Sequence, residues 1–95
     1  MIMKIGVIYS PHFGAGWSTW GDPKSALDQE LAQAIENGAS IEKLEAIAER
    51  NWPEQYQGGL GDAVVEWVDA GTPFRIDEYD GNERLVLISD WQVAE

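Results

Sequence analysis

The apolar and polar positions of the chain fall into short blocks that predict strands near both ends. Residues 2–9 are apolar at almost every position, as in a strand that is covered on both faces. Residues 63–69 and 74–79 alternate apolar with polar side chains, and residues 85–88 form a further apolar run. Asp80-Gly81 separates the last two blocks and predicts a tight hairpin turn, because such a turn requires positive φ angles.

The middle of the chain has helical spacing. Asp22-Pro23 predicts a helix start, with the aspartate as N-cap and proline at the first helical position. Apolar residues then recur at helical spacing up to Gly38, which ends this helix. Ser40 predicts the N-cap of a second helix, and Trp52-Pro53 ends it. The two helices are expected to form a hairpin, and residues 55–61, with three glycines, to form a loop back to the sheet.

Together these elements predict an α+β fold. About four strands are expected in one mainly antiparallel sheet, with the helix pair on one face. The 95 residues make a single domain, 1–95, with room for one modest hydrophobic core. The chain is too short for a dinucleotide-binding domain and a separate substrate domain.

The composition argues against several classes of function. A net charge of -11 with only six lysines and arginines disfavours long nucleic acid, which requires clustered positive charge. Because cysteine is absent and histidine occurs once, we expect no zinc site, no other metal and no cofactor. No stretch approaches the roughly 18 to 20 apolar residues of a membrane span, and residues 2–9 lack a signal peptide's cleavage pattern. A cytoplasmic location without membrane association is expected.

Residues 10–21, which we call the 10–21 loop, have the composition of a ligand-binding segment. Residues 1–24 carry a net charge of +1 and residues 25–95 a net charge of -12, so this loop is the least acidic part of the chain. Its glycines let backbone N–H groups approach a phosphate, its aromatic faces can stack on bases, and its hydroxyls can donate hydrogen bonds. We therefore predict ligand binding by Tyr9, Ser10, His12, Phe13, Gly14, Ala15, Gly16, Trp17, Ser18, Thr19 and Trp20.

The same side chains have a second interpretation. Phe13, Trp17 and Trp20 can instead enlarge the core or form a subunit interface, because each buries a large apolar area. His12 either hydrogen-bonds to backbone or donates to a ligand phosphate or base. The remaining tryptophans are expected in the core: Trp52, Trp67 and Trp91.

Catalytic and phosphate-loop patterns fit the 10–21 loop poorly. Residues 14–19 lack the third glycine of a dinucleotide fingerprint. Residues 16–21 have the glycine spacing of a P-loop, but Asp22-Pro23 follows where lysine and a hydroxyl residue are required. A serine nucleophile would need His12, the only histidine, as its base. We assign no catalytic residue and favour binding without turnover over a hydrolase or transferase.

A second polar cluster lies at residues 74–81. Arg75 sits there among acids, and it either pairs with Asp77, Glu78 or a carboxylate across the sheet, or binds a phosphate or a guanine edge. We include Arg75, Glu78 and Tyr79 in the predicted ligand site.

These two segments resemble small proteins that are common in bacteriophages. The resemblance is carried by Tyr9-Ser10-Pro11 with residues 13–20, the motif YSPxFGAGWSTW, and by residues 74–81. Among such proteins, the chain is similar to the phage sponge family that counters CBASS immunity by binding cyclic nucleotide second messengers without cleaving them. His12 departs from the pattern, since glycine is commoner there in the similar proteins.

The resemblance implies a homo-oligomer, dimer or tetramer, that encloses a cyclic nucleotide such as cyclic GMP-AMP in the host cytoplasm. On this hypothesis Trp17→Ala or Thr19→Ala should weaken binding and leave the fold intact. The alternative is an acidic protein-binding inhibitor or DNA mimic, which is suggested by the sixteen acids after residue 24.

Overall fold

The α+β class is confirmed in a computed structural model that describes residues 3–14 and 16–88. Short 3-10 helices lie at Ser18–Trp20, Pro23–Leu27 and Leu60–Asp62. The longer elements of the described residues are β1 (Lys4–Tyr9), α1 (Gln29–Glu36), α2 (Ile41–Asn51), β2 (Val64–Asp69), β3 (Phe74–Tyr79) and β4 (Asn82–Leu87).

The described strands form two antiparallel pairs. β1 pairs with β2 from Lys4↔Asp69 to Tyr9↔Val64, and β3 pairs with β4 as a hairpin. An isolated bridge between Pro11 and Asn82 joins the chain just after β1 to the start of β4. The single four-stranded sheet expected from the sequence is therefore not confirmed.

Strand β1 is covered on both faces, as its apolar run predicts. Ile8 belongs to a core cluster with residues of α1 and α2, whereas Val7 belongs to a second cluster with the apolar residues of the β3–β4 hairpin. Both side chains are completely buried. The helices and the hairpin thus pack on opposite faces of the β1–β2 pair, and this layering brings β4 close to the 10–21 loop.

The helices differ from the sequence prediction at one boundary. Asp22-Pro23 does begin a helix, but it is the 3-10 helix Pro23–Leu27, and α1 begins separately after Asp28. Asp28 has an extended backbone, and its carboxylate accepts hydrogen bonds from the Leu31 N–H and from Trp52 Nε1. These bonds give α1 an N-cap of its own, which explains why the helical spacing is interrupted.

Other predicted boundaries are confirmed. Ser40 caps α2 through the Lys43 N–H, and Gly38 has a positive φ after α1. Asp80 and Gly81 have φ angles of 53° and 85°, as the hairpin turn requires. Ile2, Ala15 and Trp91 lie outside the described residues. Within the described residues, no helix is long and apolar enough to cross a membrane.

Candidate functional site

The 10–21 loop is organised around the carboxylate of Glu83, a completely buried residue of β4. Its Oε2 accepts hydrogen bonds from the Trp17 N–H at 2.7 Å, the Thr19 N–H at 3.0 Å and the Thr19 hydroxyl at 2.5 Å. Its Oε1 accepts a bond from the Ser10 N–H at 2.8 Å. The backbone N–H groups that the sequence suggested for a ligand phosphate therefore bind an anion of the protein itself.

Glu83 was not among the predicted site residues, although the sequence contains a signal for it. Side chains alternate between the two faces of a strand, so Glu83 shares its face with Leu85 and Leu87. Those two leucines pack against the second core cluster. An acidic residue on the apolar face of a strand needs hydrogen-bond donors to compensate its burial, and the loop supplies them.

The first part of the loop is tied to the β3–β4 turn by backbone hydrogen bonds. The Ser10 carbonyl accepts from the Glu83 N–H at 2.8 Å, and the Gly14 N–H donates to the Asp80 carbonyl at 2.6 Å. The Ser10 hydroxyl donates to the Gly59 carbonyl at 2.8 Å, and Ser10 is completely buried. This serine is thus a structural residue in the fold, not an exposed nucleophile.

The next part of the loop lies inside the protein. Trp17 is completely buried in the core cluster that contains Ile8 and Leu31. Gly16 and Ser18 are also buried, and a Cβ at Gly16 would lie only 2.9 Å from Trp20 Cδ1. The structure therefore changes the expectation for Trp17→Ala and Thr19→Ala. The first would empty a core position and the second would remove a donor to Glu83, so neither leaves the fold unaffected.

The loop exposes a smaller set of side chains. His12 lies at the surface, Phe13 is 67% exposed and Trp20 is 42% exposed. Phe13 makes an edge-to-face contact with Tyr79, with ring centroids 6.4 Å apart. The structure thus brings together aromatic residues from the two segments that the sequence singled out.

The outer face of the β3–β4 hairpin carries two arginines around one carboxylate. Arg75 Nε donates to Asp77 Oδ1 at 2.7 Å, and Arg84 Nη2 lies 3.7 Å from Asp77 Oδ2. The hydrogen bond from Arg75 holds the pKa of Asp77 below its usual value, with Arg84 contributing in the same direction. We define the hairpin face as the polar and aromatic residues that alternate onto this side, where Val86 also lies: Arg75, Asp77, Tyr79, Asn82 and Arg84.

The salt-bridge interpretation of Arg75 is therefore confirmed for Asp77. Its predicted neighbour Glu78 lies on the opposite face, where Oε2 accepts a hydrogen bond from the Gly81 N–H at 2.7 Å and supports the turn. Sequence reasoning missed Arg84 and Asn82. The register signal for both was present, because Arg84 lies opposite Asp77 and Asn82 opposite Tyr79 in any hairpin closed by Asp80-Gly81.

Tyr9, the first residue of the predicted site, faces a different neighbour. Its hydroxyl lies 3.4 Å from Glu66 Oε1 on β2. Burial and the nearby Glu66 carboxylate raise the pKa of the Tyr9 hydroxyl.

Two cavities adjoin predicted residues near the β3–β4 hairpin, and a third, beside Trp20, is described below. One has a volume of about 440 Å³ and is lined by Ser18 and Thr19 from the loop and by Arg75 from β3. Another of about 300 Å³ lies beside Tyr79 and Arg84 and is also lined by Asp77, Glu78 and Asn82. Their volumes are at the lower end of the roughly 300 to 1,000 Å³ typical of ligand sites. Among the described residues, no group of three or more metal-ligating side chains is assembled.

Comparison with protein-family models, with curated proteins and with solved structures gave no match.

Proposed function

We propose that this protein binds a cyclic oligonucleotide signal, such as cyclic GMP-AMP, and sequesters it without cleaving it. The observation that carries the proposal is the hairpin face beside Phe13. There, two guanidinium groups surround one carboxylate, next to an exposed aromatic pair. The guanidinium groups can bind a phosphate, and the aromatic rings can stack on a base.

The two arginines supply the positive charge for an anionic ligand. Arg75 and Arg84 lie on the hairpin face beside the single carboxylate of Asp77, while Glu78 and Asp80 belong to the same hairpin, so the support comes from the placement of the guanidinium groups and not from a net positive charge. Charges farther away than about 8 to 10 Å are largely screened at physiological salt. Arg75 donates to Asp77 through both Nε and Nη2, which fixes the plane of the guanidinium; a phosphate would approach its other edge or displace Asp77.

The internal bonding of the 10–21 loop supports rigid binding. Because the Glu83 carboxylate fixes the backbone at Ser10, Trp17 and Thr19, the loop does not have to be ordered when a ligand binds. Pre-organisation of this kind reduces the entropic cost of association. The exposed ring of Phe13 is then presented on a fixed support.

The side chains near this face support binding more than catalysis. The Ser10 hydroxyl is engaged with the Gly59 carbonyl inside the protein, which removes it as a partner for His12. Sequestration requires affinity and abundance, whereas catalysis requires groups that stabilise a transition state. An oligomer, dimer or tetramer, acting in the cytoplasm would let two subunits share one cyclic ligand.

Calorimetry with a panel of cyclic dinucleotides and trinucleotides tests the proposal. We expect saturable binding of at least one member, and recovery of the intact ligand by chromatography after the complex is heated. Native mass spectrometry of the same complex gives the number of subunits and ligands. Absence of binding heat and of any thermal shift across the whole panel would refute the proposal. Recovery of a hydrolysed ligand would show that the protein turns the nucleotide over and does not only sequester it.

A further inference from the structure

An aromatic cleft of about 390 Å³ lies on another part of the surface, between the end of the 10–21 loop and the end of α2. Trp20 and Tyr56 form one continuous wall, with ring centroids 5.7 Å apart and ring planes inclined by 37°. Both rings are substantially exposed, at 42% and 51%. We define the aromatic cleft by the residues used below: Trp20, Asp22, Trp52, Pro53, Glu54 and Tyr56.

The cleft is held in shape by hydrogen bonds that leave the wall uncovered. The Gln55 side chain accepts from the Asp22 N–H at 2.9 Å and donates to Ser25 Oγ at 2.9 Å, which joins the two sides. Trp52 Nε1 donates to Asp28 Oδ2 at 2.9 Å, so this indole is oriented by α1. The cleft is therefore a fixed feature of the fold.

The charge around the cleft is negative. Asp22 and Glu54 both line it, and none of the described lining residues is a lysine or an arginine. Helix α2 ends at Asn51, so the negative end of its dipole also points toward this region. With no arginine or lysine among these lining residues, a phosphate would be repelled here and a cation would be attracted.

We infer that the aromatic cleft is a docking site for an arginine side chain of a protein partner. A guanidinium is planar, stacks on an aromatic face and forms paired hydrogen bonds to a carboxylate, so it matches a wall of two rings beside Glu54. The net charge of -11 would steer a basic partner toward the protein. Trp, Tyr and Arg are also the residues that most often dominate the binding energy of interfaces. This inference goes beyond the proposed nucleotide site and does not depend on it.

The test is an NMR titration of the ¹⁵N-labelled protein with a capped tripeptide, acetyl-Gly-Arg-Gly-amide. We expect saturable shifts that are largest at the Trp20 indole N–H and at the backbone of Glu54 and Tyr56. The matched peptides replace arginine by lysine, which keeps the charge, or by citrulline, which keeps the shape. The lysine peptide should bind at least about threefold more weakly, and the citrulline peptide should give no saturable shift.

Two variants make the result specific. Glu54→Gln should weaken binding of the arginine peptide about threefold to tenfold. Glu42→Gln, which removes the same charge at the other end of α2, should leave that binding unchanged. Equal weakening by both variants, or equal binding of the arginine and lysine peptides, would reduce the effect to general charge attraction and overturn the inference. Binding of free arginine amide without binding of the peptide would also overturn it, because the occupant would then be a small molecule.

Discussion

The hydroxyl and the backbone N–H of Thr19 both donate to one oxygen of the Glu83 carboxylate, 64 residues further along the chain. With the N–H groups of Ser10 and Trp17, four donors converge on a single buried side chain. An isolated carboxylate would be costly to bury, and each of these donors would be costly to bury without an acceptor. The loop therefore supplies the donors that the buried Glu83 carboxylate needs, and Glu83 supplies the acceptor that the loop's donors need.

The first prediction concerns the stability contributed by Glu83. Glu83→Ala should lower the free energy of unfolding by about 3 to 5 kcal/mol, because it leaves several buried donors without an acceptor. Glu83→Gln should cost less, about 2 to 3 kcal/mol, since one amide oxygen remains while the amide nitrogen faces other donors. Urea denaturation measures both changes. Glu45→Ala, on an exposed position of α2, is the control and should stay within about 0.5 kcal/mol of the wild type.

The second prediction distinguishes the stability contributed by the packing of Trp17 from that contributed by its indole N–H. Trp17→Ala should destabilise the protein by about 3 to 5 kcal/mol, as expected for a large core side chain. Trp17→Phe should cost less, about 1 to 2 kcal/mol, because it leaves a smaller cavity than alanine does and removes a buried Nε1 that makes no hydrogen bond in the structure described here. Thermal and urea denaturation compare the two variants. A phenylalanine variant as unstable as the alanine variant would contradict this prediction.

The third prediction is a pH dependence that arises from Asp28. Burial alone would raise the pKa of this carboxyl, but hydrogen bonds from Asn51, the Leu31 N–H and Trp52 outweigh burial and lower it. Because the pKa is lower in the folded state, the contribution is fully present above the unfolded value of about 3.9 and is lost as the pH falls through the folded value.

Asp28→Asn isolates this contribution. The variant should be less stable than the wild type at pH 7, by about 1 to 2 kcal/mol, and the difference should shrink as the pH is lowered from about 5 to about 2. Urea denaturation across this range provides the measurement. A stability difference that stays constant with pH would mean that the charge of Asp28 contributes nothing.

The fourth prediction addresses the nucleotide site. Tyr79→Ala and Phe13→Ala should each weaken ligand binding about tenfold or more, because base–aromatic stacking contributes roughly 1 to 3 kcal/mol per base. Both side chains are exposed, so stability should change by no more than about 0.5 kcal/mol. Calorimetry with the preferred cyclic nucleotide measures the effect.

Tyr56→Ala is the matched control for these variants. Tyr56 is also an exposed tyrosine in contact with another ring, but it lies in the aromatic cleft. Tyr56→Ala should leave nucleotide affinity unchanged and should weaken binding of the arginine peptide. Loss of nucleotide affinity in Tyr56→Ala alone would move the nucleotide site to the cleft.

Local patterns predicted most of the elements. The positive φ angles at Asp80 and Gly81, the cap at Ser40 and the double coverage of β1 follow from short-range rules. The division into two strand pairs does not, because it depends on how the hairpin packs against β1. The separate start of α1 at Asp28 is supported by the local bond from the Leu31 N–H and also by Trp52, which comes 24 residues later in the sequence.

The predicted ligand site remains a prediction, and the structure changes what several of its side chains can contribute. Composition identified the 10–21 loop but could not show that Trp17 points inward or that Glu83 takes the backbone donors. A single sequence does not reveal which polar groups satisfy each other across the fold. Strand alternation alone, applied to residues 82–87, would have placed Glu83 on the buried face.

The distance in sequence between Ser10 and Glu83, 73 residues, has a consequence for synthesis of the protein. The loop leaves the ribosome long before its acceptor does, and closing so long a separation carries an entropic cost that later contacts must offset. Until β4 has been made, the N–H groups of Trp17 and Thr19 face water. A nascent chain halted before Glu83 should therefore be cut by proteases within residues 10–21, whereas the complete chain should resist cleavage there.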